Sequence, residues 1–300
     1  MSGFLTKVNS NSSVIDCALD AGALFEPKRI HTLLPNGASC DKTFTVYREL
    51  EDGSQAVLNA GVTKQYLASS YQLLFDTAEE MFPNSCNQFS LFGNGERVCF
   101  TQTIGELTEF EDGDELFTNL MYTGSMDSTW KTAVYGFMYR PACSNAIPMG
   151  TLQLAQKRTT NHDYMLFQKA KVLSGAYGVA EQFVTSARIL KQIELNRVQL
   201  ALEIDKILPV VDEDSSTKSI NTRDKMEEGI RYYFEEESEE YGPTAWSLFQ
   251  AVQSYEFHVK TKGNKSTEEK RQAKKVDLIR NPRVGQSMTE TLRDNLLVLA

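Results

Sequence analysis

Between Phe117 and Asn145 hydrophobic and polar positions alternate in two long runs, joined by Thr123-Gly124-Ser125-Met126-Asp127-Ser128-Thr129. This is the period of paired β-strands and predicts a hairpin, with Leu116 to Tyr122 on one side and Thr129 to Tyr139 on the other. In the second run Trp130, Thr132, Val134, Gly136 and Met138 face one way, while Lys131, Ala133, Tyr135, Phe137 and Tyr139 face the other. Large apolar or aromatic groups fall on both faces, so the strand is either covered on both sides or offers rings to a partner.

The same alternation predicts a strand at Thr43 to Glu49, turning at Asp52-Gly53 into Gln55 to Leu58. It predicts another pair, Gln88 to Phe92 and Arg97 to Ile104, around Gly93-Asn94-Gly95, and a further turn at Glu111-Asp112-Gly113-Asp114. Elsewhere the period lengthens to that of a helix. Leu67, Tyr71, Leu74, Ala78, Met81 and Phe82 predict one from Thr63 to just before Pro83, and a short one falls near Val14 to Leu24. Tyr164 to Leu208 carries a helical stripe that changes phase at Glu194 to Asn196. Asp224 to Tyr241 forms an acidic helix, and Trp246 to Tyr255 forms another, entered at Gly242-Pro243-Thr244. The expected fold class is α+β: a central antiparallel sheet, helices packed on one face and a helical C-terminal part. The expected organisation is an N-terminal arm or cap at 1–42 and a core domain at 43–209. A linker at 210–221, a helical part at 222–258 and a mobile basic tail at 259–300 follow.

Composition narrows the chemistry. With 300 residues, 41% of them hydrophobic, the chain can bury a substantial core, and no run approaches the ~20 apolar residues of a membrane span. The beginning carries no basic and apolar leader pattern, so a cytoplasmic protein with reduced thiols is expected. Net charge is −9 but unevenly placed. Asp212 to Glu240 holds eleven acids against four bases, whereas Lys260 to Arg283 holds nine bases against three acids. Screening confines each charge to roughly 8 Å, so the basic segment can attract phosphate despite the overall sign.

Three histidines, His31, His162 and His258, and five scattered cysteines, Cys17, Cys40, Cys86, Cys99 and Cys143, form no metal-ligand or redox spacing. No glycine-rich phosphate cradle is present, and neither cofactor nor metal is expected. Cys143 with His162 or His258 as base is the one candidate nucleophile pair, and packing explains that cysteine more simply. The better candidate is a surface for single-stranded nucleic acid. Rings stack bases for ~1 to 3 kcal/mol each while cations hold phosphates. Arg97, Trp130, Lys131, Tyr135, Tyr139 and Arg140 on the strands fit that use, as do Lys169 and Lys171 on the long helix and Lys260, Lys262, Arg271, Lys274 and Lys275 in the tail.

A track of motifs runs from Phe89-Ser90-Leu91-Phe92 through Asp112-Gly113-Asp114-Glu115 and the Gly124 to Ser128 turn. It continues through the Arg140-x-x-Cys143-x-Asn145 corner to Thr244-x-Trp246 and Ala251-Val252-x-x-Tyr255-x-x-His258. This track resembles the phage/plasmid-like protein family, a domain of unknown function found in bacteriophages, plasmids and integrated elements, over roughly Thr43 to His258. The resemblance implies a mobile-element protein in a host bacterial cytoplasm, with Asp127, Arg140, Cys143, Asn145, Trp246, Tyr255 and His258 as its structural markers. The family turn reads Asn-Ser-His-Asp-Gly, so Gly124, Met126 and Ser128 are departures, and a histidine chemistry there would be lost. Asp127 is expected to bond turn amides, and Arg140 with Asn145 to tie the strand end to a neighbouring loop. The order helix, antiparallel strands, long helix also resembles the core of phage annealing recombinases. Single-strand binding or annealing by a homo-oligomer, without a membrane, is therefore the expected function. A regulatory protein engaging a host factor through its acidic helix is the alternative.

Overall fold

The computed structural model describes residues 6–66, 68–104, 108–109, 115–140, 145–148, 169–212, 214–259 and 267–280, with 292, 295–296 and 298. Within these ranges the side chains of 6–11, 108–109, 115–116, 139–140, 145–148, 169–177, 179–180 and 182 are not described. The fold is α+β, and the chain divides into two compact units. One comprises Met1–Leu107, Phe117–Phe137 and Met149–Tyr177; the other comprises Thr108–Leu116, Met138–Pro148 and Gly178–Ala300.

The first unit is built on an antiparallel sheet with strand order β1-β5-β6-β8-β9. These strands are β1 (Thr6–Ser12), β5 (Cys86–Phe92), β6 (Arg97–Thr103), β8 (Glu115–Ser125) and β9 (Ala133–Arg140). Helices α1 (Val14–Asp20) and α2 (Gln72–Met81) share the core of one face. There Phe89, Phe100 and Tyr122 form a stack, with centroids 5.6 Å and 4.7 Å apart, and Phe75 of α2 packs on the first two rings. Gln102 of β6 donates to the carbonyls of Ala78 and Phe82 at 3.1 and 2.9 Å. Both carbonyls lie at the end of α2, so the bonds fix the helix on the sheet. The other face is buried too: Cys99, Thr101, Met121, Thr123, Ala133, Tyr135 and Phe137 are all 5% exposed or less. Of the two readings of the long hairpin, coverage on both sides is the one the structure adopts. A polar ladder crosses the strands, in which Asn87 donates to Thr103 Oγ1 (2.6 Å) and Asn119 Oδ1 (2.9 Å) and accepts from Thr101.

A second, three-stranded sheet has the order β2 (Lys28–Leu33), β3 (Ser39–Glu49) and β4 (Gln55–Thr63). Phe44, Val46, Ala56 and Leu58 are its buried positions. Residues expected as an arm or cap thus supply a sheet strand, a core helix and an edge of the smaller sheet. The helix expected from Thr63 begins only at Gln72, because Thr63 pairs with Thr43 and prolongs β4.

In the second unit β7 (Thr108–Glu109) pairs with the start of β8. The unit also holds β10 (Asn145–Pro148), the greater part of α3 (Lys169–Gln192), and the helices α4 (Arg197–Ile207), α5 (Thr217–Tyr241), α6 (Ala245–Ser254) and α7 (Glu268–Arg280). The phase change in the long helical stripe has a physical cause. Between α3 and α4 the chain leaves the helix and pairs with the entry to α6: Leu195 N donates to Pro243 O and Ala245 N to Ile193 O, both at 2.8 Å. Asn196 and Gln199 then restart the helix with a reciprocal capping box. All ten residues of α6 are buried, and a π-helical turn, Tyr255–Val259, follows without a break. Gly229 of α5 admits the Tyr255 ring, since a Cβ there would lie 2.7 Å from Tyr255 Cε2. Residues 210–221, expected as a linker, include the first turn of α5, capped by Ser216. The tail expected to be mobile contains α7, whose Ala273, Val276 and Ile279 are buried at helical spacing. Among the described residues, no helix is long and apolar enough to cross a membrane.

Candidate functional site

The turn that joins β8 to β9 is held from several sides. Met126 donates its N–H to Glu96 O (2.7 Å), and its carbonyl accepts from Asn59 Nδ2 (2.7 Å) and Tyr66 Oη (2.5 Å). Ser125 Oγ accepts from the Trp130 N–H and donates to the Trp130 carbonyl, closing the turn upon itself. Asp127 Oδ1 accepts from the Thr129 N–H (2.9 Å) and Oγ1 (2.6 Å), the turn-amide role expected of it. Ser128 has a φ of 64°, in the left-handed region that favours glycine. A side chain at Gly124 would stand 3.1 Å from the Tyr71 ring, whose hydroxyl bonds Gly95 O and Glu96 O.

Arg97 lies at the rim of this turn. Its guanidinium carbon sits 5.1 Å from the Trp130 ring and 5.7 Å from the Phe92 ring, and its Nε is 3.4 Å from Asp127 Oδ2. Such a cation–π and ion-pair arrangement positions the guanidinium while leaving its charge near the surface. Trp130 itself is 5% exposed and meets Phe92 edge-on at 5.1 Å. Tyr135 is equally buried. Neither ring is available to stack a base, so both of these positions of the expected platform are core packing. Lys131, which follows Trp130 in the chain, is exposed.

In the second unit, α6 carries a polar stripe through a wholly buried helix. Ser247, Gln250, Gln253 and Ser254 are at most 3% exposed, and Glu256 on the π-helical turn is 2% exposed. Both polar atoms of the Gln253 amide lack hydrogen-bond partners. Trp246 packs against Phe183 and Phe249, and burial pushes the Tyr255 phenol above its ordinary range. Trp246 and Tyr255 are therefore packing residues, while His258 is half-buried on the π-helical turn.

Helix α7 presents the clearest cationic surface. Lys270 and Lys274 are exposed, and Arg271 and Lys275 are half-buried. These four lie between positions 270 and 275 of a helix whose buried stripe is Ala273, Val276 and Ile279. Arg271 Nη1 is 3.5 Å from Glu268 Oε2.

Several expected site residues fall elsewhere. Cys143, Lys260 and Lys262 lie outside the described residues, and Tyr139, Arg140, Asn145, Lys169 and Lys171 are described in backbone only. Within each unit the structure joins Arg97, Trp130 and Asp127 in one and Arg271, Lys274 and Lys275 in the other. Sequence reasoning did not single out Asn59, Tyr71 and Glu96 as supports of the turn, because they reach it through tertiary contacts that leave no local pattern. Among the described residues, no group of three or more His, Cys, Asp or Glu is placed to hold a metal ion.

The chain matches the family model of a domain of unknown function, DUF932, over residues 62–281, and belongs to that family. The match runs from the end of β4 through α7 and so takes in the β8–β9 turn, α6 and the cationic helix. Searches of curated proteins and of solved structures find no match.

Proposed function

We propose that the protein handles nucleic acid for a bacteriophage or plasmid in a host bacterial cytoplasm, holding single strands chiefly by their phosphates. The observation that carries this reading is the cationic surface of α7, where Lys270, Arg271, Lys274 and Lys275 are anchored by a buried apolar stripe. An ordered helix holds its charges together at less entropic cost than a flexible tail, so a strand meets several cations at once. Base stacking by Trp130 and Tyr135 forms no part of the mechanism, since both are core residues. Affinity is accordingly steep in salt and indifferent to sequence. Four phosphate contacts on a single strand give a slope of about −2.8 in log K against log salt, or about 50-fold weaker binding from 50 to 200 mM salt. Fluorescence anisotropy of a labelled oligonucleotide over that range tests the reading; absence of binding at the lowest salt ends it.

A second reading is a regulatory interaction through α5. Glu228, Glu235, Glu236, Glu239 and Glu240 are exposed on that helix together with Tyr232, an acidic surface with an aromatic anchor suited to a basic protein partner. A stoichiometric partner that remains bound after nuclease treatment favours this reading over the first.

A further inference from the structure

Two cysteines from separate elements meet in the core of the first unit. Cys86 begins β5 and lies opposite Ser12 in the β1–β5 ladder. Ser13 caps α1 through bonds from the Ile15 and Asp16 amides, and Cys17 follows one turn later on the same buried side as Val14 and Ala18. The α1 entrance is also tied to α2, since Val14 N donates to Glu79 Oε2 at 2.7 Å. Short connections therefore bring both cysteines into one buried cluster of the core. Cys17 is 5% exposed and Cys86 fully buried. The other described cysteines stand apart: Cys99 belongs to the opposite face of the main sheet, and Cys40 is on β3 of the smaller sheet.

We propose that Cys17 and Cys86 are a redox-closed staple, converted by a small two-electron oxidant of the peroxide class into a disulfide that ties α1 to β5. One thiolate attacks a peroxide oxygen, giving a sulfenic acid and, after protonation, one water. The second sulfur attacks the sulfenic sulfur, forming the S–S bond and releasing the hydroxyl oxygen as a second water. Two thiols and one hydrogen peroxide thus yield one disulfide and two waters. Burial raises both thiols above their ordinary range, and Asp20 and Asp16 add to the effect at Cys17. Little thiolate is present at neutral pH, so closure is slow and accelerates as pH rises. The device responds to sustained oxidation and is shielded from rapid thiol exchange.

The test uses the full chain. After incubation with hydrogen peroxide, the protein is denatured, alkylated and digested without reductant for peptide mass spectrometry. The expected result is a Cys17–Cys86 linked peptide from a monomeric chain lighter by two thiol hydrogens. The thermal midpoint rises by roughly 5 to 10 °C and returns on reduction. Cys17→Ala and Cys86→Ala each abolish the linked peptide, and the unmodified chain alone gives a readable answer if either variant folds poorly. Full alkylation of both cysteines after oxidation overturns the proposal, as does a disulfide that instead engages Cys40, Cys99 or Cys143.

Discussion

Replacing Tyr122 with phenylalanine removes a single oxygen from the centre of the first unit. That oxygen is buried without a hydrogen-bond partner, in a residue with no solvent exposure. The ring below it stacks on Phe100 at 4.7 Å and 3°, a contact that phenylalanine reproduces. An unsatisfied buried hydroxyl costs roughly 1 to 3 kcal/mol of desolvation, set against a few dispersion contacts of the lost atom. Tyr122→Phe is therefore expected to stabilise the protein by about 1 kcal/mol at neutral pH, or ~2 to 4 °C in thermal midpoint. Burial also drives the phenol far above its ordinary range, so the folded state keeps the proton where the unfolded chain loses it. The contribution of this difference is complete below about pH 10 and declines above it by about 1.4 kcal/mol per pH unit. The variant escapes this decline. Urea denaturation of both proteins, followed by circular dichroism at neutral pH and on either side of pH 10, measures the two effects. A variant less stable at neutral pH, or an advantage that does not grow with alkalinity, refutes the reasoning.

Other perturbations probe the turn and the helical unit. Ser128 occupies left-handed backbone, so Ser128→Gly is tolerated while Ser128→Val costs about 1 to 2 kcal/mol in chemical denaturation. Gly229→Ala drives a methyl group to 2.7 Å from Tyr255 and is expected to cost roughly 1 to 3 kcal/mol. Much of that loss disappears when Tyr255→Ala is added, and strict additivity of the two changes in a double-mutant cycle would contradict the contact. Arg97→Ala should alter Trp130 fluorescence and lower stability by losing packing on two rings, whereas Asp127→Asn, which removes the charge of one partner from a partly exposed ion pair, should cost about 1 kcal/mol or less.

Much of the architecture is legible in the pattern of side chains. The hairpins around Gly93-Asn94-Gly95 and the β8–β9 turn, the break at Glu194 to Asn196 and the Gly-Pro-Thr entry to α6 all carry local signals that the structure obeys. β2 was hidden because five of its six residues are exposed, which erases the alternation of a half-buried strand. The start of α2 was misplaced because Thr63, a credible helix cap, serves instead as the last residue of β4. α7 has few apolar residues, and only their spacing, Ala273, Val276, Ile279, distinguishes it from a solvated tail. The candidate site was harder to read. Alternation assigns Trp130 and Tyr135 to faces, but whether a face is core or surface depends on what the rest of the chain lays over it. Here both faces are covered, and the cations with the clearest exposure lie on a helix.

The central claim is that α7 engages phosphates. Its most direct test compares the salt dependence of oligonucleotide binding for the native chain and for a variant with Lys270, Arg271, Lys274 and Lys275 all changed to glutamine, after circular dichroism confirms that the variant is folded. The account predicts that the slope of log K against log salt flattens by about 2.8 in the variant, with affinity at low salt reduced in proportion. Equal slopes for the two proteins would contradict it.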